Sequence, residues 1–429
     1  MAAPVREPDS VRREPDIGEQ TWVDELVTAA VDGVPFYRDH LAHAGLSGIA
    51  SVPSFDKQMT AGYGRFPLSA GGAVGSHRVV ATSGTTGDRL FVAFDRTDWD
   101  SVGTWLEQVG ATVGMGAHDV LLNTHCYGLW VGGPVLDLLA QRAGACVVPL
   151  GPVSPTVVLQ LLGDGVGTAI SATPSYLRRL IEAADAIGVD LARTGLRLGF
   201  VGAEAAEPTL RRKILSRLPA GFHWVELYGL TETCGPSIAF APDPEVPELI
   251  LNTHDFLVEV LDLKTDEPAS PGAVGELTLT TRRAGSRSPL IRYRTKDLVC
   301  VTAGDPRTPT HISQILGRAD DAMKVGGVLM YPSAVAEIIS GVLPPSAEWR
   351  GTARRNGPEC ALIVQVEASP ELCQAVELAF SERVGMDVTV VPVDGDQLSR
   401  SREKTRRIVV ESVDDGDLAS PRPGRRRGC

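Results

Sequence analysis

Ser83-Gly84-Thr85-Thr86-Gly87 packs three hydroxyls and two glycines into five residues, between the apolar segment Val79-Val80-Ala81 and the β-rich run Leu90-Phe91-Val92-Ala93-Phe94. Glycine permits positive φ angles and close approach, so a loop of this kind can wrap backbone N–H groups and hydroxyls around a phosphate. A nucleoside triphosphate suits that chemistry. A polar hairpin turn of the same composition is the alternative.

Five further segments bear on that choice. Tyr228-Gly229-Leu230-Thr231-Glu232 follows the apolar run Trp224-Val225-Glu226-Leu227. Gly229 would let backbone approach a ligand, Thr231 could bond a phosphate, and the Glu232 carboxylate could hold Mg²⁺, which prefers oxygen ligands; an ordinary strand-to-loop turn is the alternative. Gly202-Ala203-Glu204 closes the preceding strand and could border a flat base or an aromatic substrate. Arg292-Tyr293-Arg294-Thr295-Lys296-Asp297 places Asp297 at the end of a β run, where a carboxylate suits a ribose diol. Gly317-Arg318-Ala319-Asp320-Asp321, followed by Lys324, Gly326 and Gly327, has the make-up of a hinge. Lys404 stands in a basic run, 399–407, whose default reading is a solvated face.

These residues need a scaffold that brings them to one place. Apolar spacing predicts helices over Glu19–Val31, Asp98–Gly110 and Leu136–Ala143, with a short one at Pro35-Phe36-Tyr37-Arg38. Strands at Val120–Asn123, Cys146–Leu150, Thr168–Ile170, Leu198–Val201 and Trp224–Leu227 alternate with helices at Pro155–Leu162, Pro174–Ile187 and Pro208–Leu218. That alternation specifies a parallel α/β sheet covered on both faces, with its binding crevice at the carboxyl ends of the strands. Short β runs at Leu257–Leu263, Gly275–Thr281 and Leu298–Val301 suggest a small barrel-like sheet. After Gly317 the pattern resets to a strand (Ala361–Val366), a helix (Glu371–Val384) and a strand (Val388–Val393), an α+β unit. The expected division is a large domain over 1–317, a small one over 318–411 and a disordered tail over 412–429.

Composition excludes several classes of function. A length of 429 residues favours two domains, and 43% hydrophobic with 22% charged residues is ordinary for a soluble chain with no bilayer-length apolar stretch. A net charge of −12 argues against general affinity for nucleic acid. The basic patch Arg422–Arg427 reads as part of the disordered tail. Met1–Asp16 resembles neither a signal nor a transit peptide and reads as a frayed leader. Seven scattered cysteines without CxxC spacing fit reduced thiols in a cytoplasmic protein.

In order and spacing the motifs from Ser83 to Lys404 resemble those of the adenylate-forming enzymes, the superfamily of acyl-CoA synthetases, peptide-synthetase adenylation domains and luciferases. Within it the chain is similar to the phenylacetate-CoA ligase branch. Pro35-Phe36-Tyr37-Arg38 with Ala44-Gly45-Leu46, Tyr127-Gly128-Leu129-Trp130 with Gly132-Gly133, Ala172-Thr173-Pro174-Ser175-Tyr176, and Ile291-Arg292-Tyr293-Arg294-Thr295 carry that likeness.

The resemblance implies a large domain, a small mobile one, and a two-step reaction. A carboxylate attacks the α-phosphate of ATP to give an acyl-adenylate and pyrophosphate; coenzyme A then displaces AMP. It assigns Ser83, Gly84, Thr85, Thr86 and Gly87 to the β- and γ-phosphates, Thr231 and Glu232 to phosphate and Mg²⁺, and Asp297 with Arg318 to the ribose. Lys404 would bridge the carboxylate and α-phosphate, and Asp320 would be the pivot that withdraws it. Gly202, Ala203, Glu204, Tyr228 and Gly229 would border the nucleotide. An aromatic acid would sit among His125, Tyr127, Trp130, Gly132, Ala203 and Tyr228.

Three departures stand out. Glu403 occupies the place of the family's glycine before the lysine, Asp305–Ser313 lacks the branch's cysteine segment, and His125-Cys126 replaces a Tyr-Gly pair. His125 could line the acyl pocket, assist the second step or be a satisfied core histidine. Thr124, His125 and Cys126 would make the pocket wall polar enough for an amino- or hydroxy-substituted acid. A carrier-protein pantetheine or an amine remains an alternative acceptor, a homodimer remains open, and a non-catalytic nucleotide-binding homologue draws support from Glu403.

Overall fold

The computed structural model describes residues 19–42, 48–82, 89–243, 245, 248–325, 328–356, 359–394, 397–398 and 407–412. The Ser83–Gly87 loop, Ala44-Gly45-Leu46, Glu403, Lys404, the leader and the tail beyond Ser412 lie outside these. By its contacts the chain divides into two compact units, one running to Asp320 and the other beginning at Asp321.

In the first unit, strands β1 (Arg78–Ala81) and β2 (Phe91–Phe94) pair antiparallel. The next five are β3 (Val120–Asn123), β4 (Cys146–Pro149), β5 (Ala169–Ala172), β6 (Leu198–Gly202) and β7 (His223–Leu230). They lie parallel in the order β4-β3-β5-β6-β7. Successive residues along these strands face opposite sides. Leu121, Ala169, Phe200 and Val225 join one core with Leu106, Val109, Leu136 and Leu139 of the helices Arg96–Thr112 and Gly132–Arg142. Leu122, Ile170, Val201 and Trp224 join another with Val158, Tyr176, Leu177 and Ile214 of the helices Pro155–Gly163, Pro174–Ile187 and Pro208–Leu215. A sheet buried on both faces is why these strands read as near-continuous apolar runs. Three of the helices start on proline, whose fixed φ and missing N–H suit the first turn.

The sheet continues antiparallel through β8 (Gly235–Ala241) and β9 (Glu248–Leu251), two strands the sequence reading does not find. Beyond them come β10 (Phe256–Leu261), β11 (Val274–Thr281), β12 (Tyr293–Asp305), β13 (Thr308–Ser313) and β14 (Gly317–Arg318). The first half of β12 pairs with β11 and its second half with β13, so one long strand joins the β10-β11-β12 meander to the main sheet.

The second unit is an α+β layer. Its strands β15 (Met323–Val325), β16 (Val328–Met330), β17 (Trp349–Asn356), β18 (Glu359–Val366), β19 (Thr389–Pro392) and β20 (Ile408–Ser412) form one sheet. Val335, Ile339, Val376 and Phe380, from the helices Pro332–Val342 and Pro370–Val384, pack with Val364 and Val366 in its core. No helix among the described residues is long and apolar enough to cross a membrane.

Candidate functional site

Because β3, β5, β6 and β7 are parallel, the segments leaving their carboxyl ends gather along one edge of the sheet. Asn123 ends β3, fully buried. Its Nδ2 donates to Asp137 Oδ1 at 2.8 Å, Gly133 O at 2.8 Å and Tyr127 Oη at 3.1 Å, while its Oδ1 accepts from Ser171 Oγ at 2.7 Å and from the His125 N–H at 3.2 Å. Tyr127 Oη in turn donates to Asp137 Oδ1 at 2.8 Å, and burial, reinforced by Asp137, pushes its ionisation well up. The Tyr127 hydroxyl is therefore a structural tie, and only its ring is left for a pocket wall. Sequence reasoning passed over Asn123 and Asp137. The one local signal was a polar residue closing the apolar run Val120-Leu121-Leu122.

His125 packs over Gly132, at the start of the helix that follows. Trp130 lies half-buried on the same loop. Burial lowers the His125 pKa to about 4, so its imidazole is neutral at pH 7. An unfolded histidine titrates near 6.5, so between pH 6.5 and about 4 the unfolded chain binds the extra proton and stability is lost as pH falls. We expect His125→Gln to flatten that part of the stability–pH curve, read by thermal melts from pH 7 to 4, and to leave the curve above pH 7 unchanged.

Gly202 ends β6 and Ala203 follows it with φ 66°. Glu204 Oε2 accepts the Ser175 N–H at 3.2 Å, at the amino end of the helix after β5. Tyr228 and Gly229 lie within β7 rather than after it, which corrects the sequence reading: the strand runs three residues further because β8 folds back on it. A Cβ at Gly229 would collide with the Gly235 carbonyl, so the close return of the chain requires glycine there. Thr231 opens a one-turn 3₁₀ helix, Thr231–Thr233, that presents Glu232.

Asp297 likewise sits inside β12, opposite Arg318 of β14, rather than at a strand end. Here β12 is longer than expected because its charged residues are paired. Tyr228 Oη donates to Asp297 Oδ2 at 2.6 Å, and Arg318 Nη1 to Asp297 Oδ1 at 3.2 Å. Burial raises the Tyr228 ionisation, with Asp297 adding to it, so the phenol stays a donor. Tyr293, another residue the sequence reading did not assign to the site, donates from Oη to Glu232 Oε1 at 3.2 Å. Burial and then Glu232 raise the Tyr293 ionisation, and the fields of Arg318 and Asp297 also reach it, which places these residues in one cluster. Arg318 Nε and Nη2 grip Asp320 Oδ1 and Oδ2 at 3.0 and 3.1 Å, and the main run of the first unit ends at Asp320.

Four non-glycine residues have positive φ among those described: Ala203, Cys234, Arg292 and Lys296. All four adjoin this cluster or its strands. Such backbone costs of order 1–3 kcal/mol each and persists where surroundings over-determine it, commonly at functional sites.

Residues 79–284 match the family of AMP-binding enzymes. A phenylacetate-coenzyme A ligase of Pseudomonas putida is 31% identical over 81% of this chain and 80% of its own length. The chain belongs to the adenylate-forming superfamily, in its phenylacetate-CoA ligase-like branch. The enzyme of that name from Escherichia coli strain K12 is 29% identical over 88% of this chain and 91% of its own. In fold the chain is similar to a 2-hydroxyisobutyryl-CoA ligase in its postadenylation state, with TM-score 0.78, 19% identity, and coverage of 92% of this chain and 89% of that one. As a member of this branch the protein is an AMP-forming acid–thiol ligase.

Proposed function

We propose that this ligase uses ATP to activate an aromatic carboxylic acid as its acyl-adenylate and then transfers the acyl group to coenzyme A. The observation that carries this reading is the meeting of Tyr228, Asp297 and Arg318 with Glu232 and Tyr293, in a chain whose full-length relatives are phenylacetate-coenzyme A ligases. Asp297 and Arg318 would take the ribose diol, which would join or displace the Tyr228 hydroxyl. Gly202, Ala203, Glu204 and Gly229 would border the adenine, and Ser83, Gly84, Thr85, Thr86 and Gly87 would hold the β- and γ-phosphates.

In the first step a carboxylate oxygen bonds to the α-phosphorus while the bond to pyrophosphate breaks. Lys404, carried by the small domain, would neutralise charge on both reacting groups. In the second step the coenzyme A sulfur bonds to the acyl carbon and AMP leaves with the electron pair. Asp320 would serve as the pivot between the two steps.

No group of three or more His, Cys, Asp or Glu among the described residues could hold a metal ion by itself. Glu232 nevertheless fits Mg²⁺, which is usually bound through one or two carboxylates together with substrate phosphates. Glu232, with the Thr231 hydroxyl beside it, would be that protein ligand. When bound, the ion would supply charge neutralisation on the departing pyrophosphate.

The acyl pocket would be walled by the rings of His125, Tyr127, Trp130 and Tyr228, with Gly132 and Ala203 leaving room. A neutral His125 can accept a hydrogen bond, which suits an amino or hydroxy substituent. We expect kcat/KM, measured as AMP release with coenzyme A, to favour benzoic, phenylacetic or cinnamic acids over fatty acids of equal size. Activity confined to fatty acids would refute the aromatic assignment. AMP release indifferent to coenzyme A would instead favour a carrier-protein or amine acceptor.

A further inference from the structure

The segment before the phosphate loop is clipped to β12, the strand that carries Asp297. Phe55 bridges Tyr293: its N–H donates to Arg292 O at 3.2 Å, and its carbonyl accepts the Arg294 N–H at 2.8 Å. Asp56 then faces two ways. Its Oδ1 caps the 3₁₀ turn Lys57–Thr60 through the N–H groups of Gln58 and Met59, at 2.9 and 3.2 Å, while its Oδ2 pairs with Lys296 Nζ at 2.8 Å. Lys57, the first residue of that turn, donates from Nζ to Thr82 Oγ1 at 2.9 Å. Thr82 and Leu90 close the neck of the loop, with Thr82 N–H bonded to Leu90 O at 2.9 Å and Leu90 N–H to Thr82 Oγ1 at 3.2 Å.

Lys296 is an unexpected residue for its position. Its φ is 68°, where glycine would be unstrained, yet a lysine is held there by its ion pair with Asp56 and by a 2.9 Å bond from its N–H to Glu276 Oε1. It immediately precedes Asp297. Lys296 and the N–H groups of the turn together hold the Asp56 carboxyl below the usual range, although its burial acts the other way and is the largest single influence. The pair is only partly exposed, 26% for Lys296 and 19% for Asp56.

We propose that the Asp56–Lys296 pair is a nucleotide-positioning device, fixing the strand that carries Asp297 in register with the neck of the phosphate loop. Neither residue need touch ATP. Without the pair the two halves of the ATP site lose their fixed separation, and affinity falls for the nucleotide but not for the acid. This inference rests on the ATP reading above.

The test is ATP titration calorimetry without acid, together with the KM of each substrate, for the unmodified protein and four variants. Asp56→Asn and Lys296→Gly should each raise the ATP dissociation constant roughly fivefold, the worth of a partly buried ion pair, with the KM for the acid unchanged. The double variant should be no weaker than either single one, as coupled residues require. Lys296→Arg should stay within about twofold of the unmodified enzyme. Lys296→Gly should also melt no lower, because it relaxes the backbone, and this separates a positioning role from general loss of structure. If Lys296→Gly weakens ATP while Asp56→Asn does not, the lysine contacts the nucleotide directly and the proposal is wrong. It is equally wrong if neither variant changes ATP affinity in a protein that binds ATP. Failure of the unmodified protein to bind ATP overturns the underlying function as well.

Discussion

Lys404→Ala should slow pyrophosphate-releasing adenylation by about 10²- to 10³-fold, the usual cost of removing one preorganised charge from a developing anion. The carboxylate and the α-phosphate are both negative and must approach bonding distance, so a cation between them is worth more in the transition state than in the ground state. The second step makes no such demand. Synthetic acyl-adenylate supplied with coenzyme A should therefore still be converted to thioester at a rate within about tenfold of the unmodified enzyme. Single-turnover assays of the two half-reactions read this split directly. Equal loss in both would mean that Lys404 supports the structure, and no loss in either would mean that it takes no part in the chemistry.

Arg292→Leu should destabilise the first unit strongly, by about 3–5 kcal/mol. Arg292 is 1% exposed and paired through Nε and Nη2 with Glu259, itself 2% exposed, at 3.0 and 3.3 Å. It also donates to the carbonyls of Ala50, Val52 and Asp266, tying three segments to the start of β12. Burial already raises the Glu259 pKa, with Arg292 pulling the other way. Deleting the guanidinium leaves an uncompensated carboxylate in the core. Adding Glu259→Leu should recover part of the loss, because it removes that orphaned charge. Urea titrations of the single and double variants measure the difference; a double variant no more stable than Arg292→Leu would contradict this account.

Much of the scaffold was legible in the sequence because its signals are local. The parallel strands are short apolar runs, and three of the helices of the α/β region announce themselves by proline at their first position, at Pro155, Pro174 and Pro208. The first half of β12 was legible as a β run, but its continuation as one strand past Asp297 and the pairing of its charges were not. Its Arg294 and Lys296 look like surface residues, but Arg294 is only 12% exposed, paired with Glu276 and Asp266. Strands β8 and β13 were missed for a related reason: their glycine, serine, threonine and proline residues lack the alternation that marks a half-buried strand, while β9 is a run of only four residues, Glu248–Leu251.

The same division runs through the site. Asp297, Arg318, Tyr228 and Glu232 could be singled out by motif, and the structure brings them together. Tyr293 Oη on Glu232, the Asn123–Asp137 tie and the Asp56–Lys296 pair each join residues 14 to 240 positions apart. A single sequence contains no signal for such pairings, since each partner alone is an ordinary polar residue.

The central claim is that an acyl-adenylate forms before any thiol takes part. Acid-dependent exchange of labelled pyrophosphate into ATP, measured with no coenzyme A present, tests it most directly. The account predicts exchange that requires both Mg²⁺ and an aromatic acid and that falls to near background in Lys404→Ala. Exchange that appears only after coenzyme A is added, or turnover that yields ADP and phosphate in place of AMP and pyrophosphate, would contradict it.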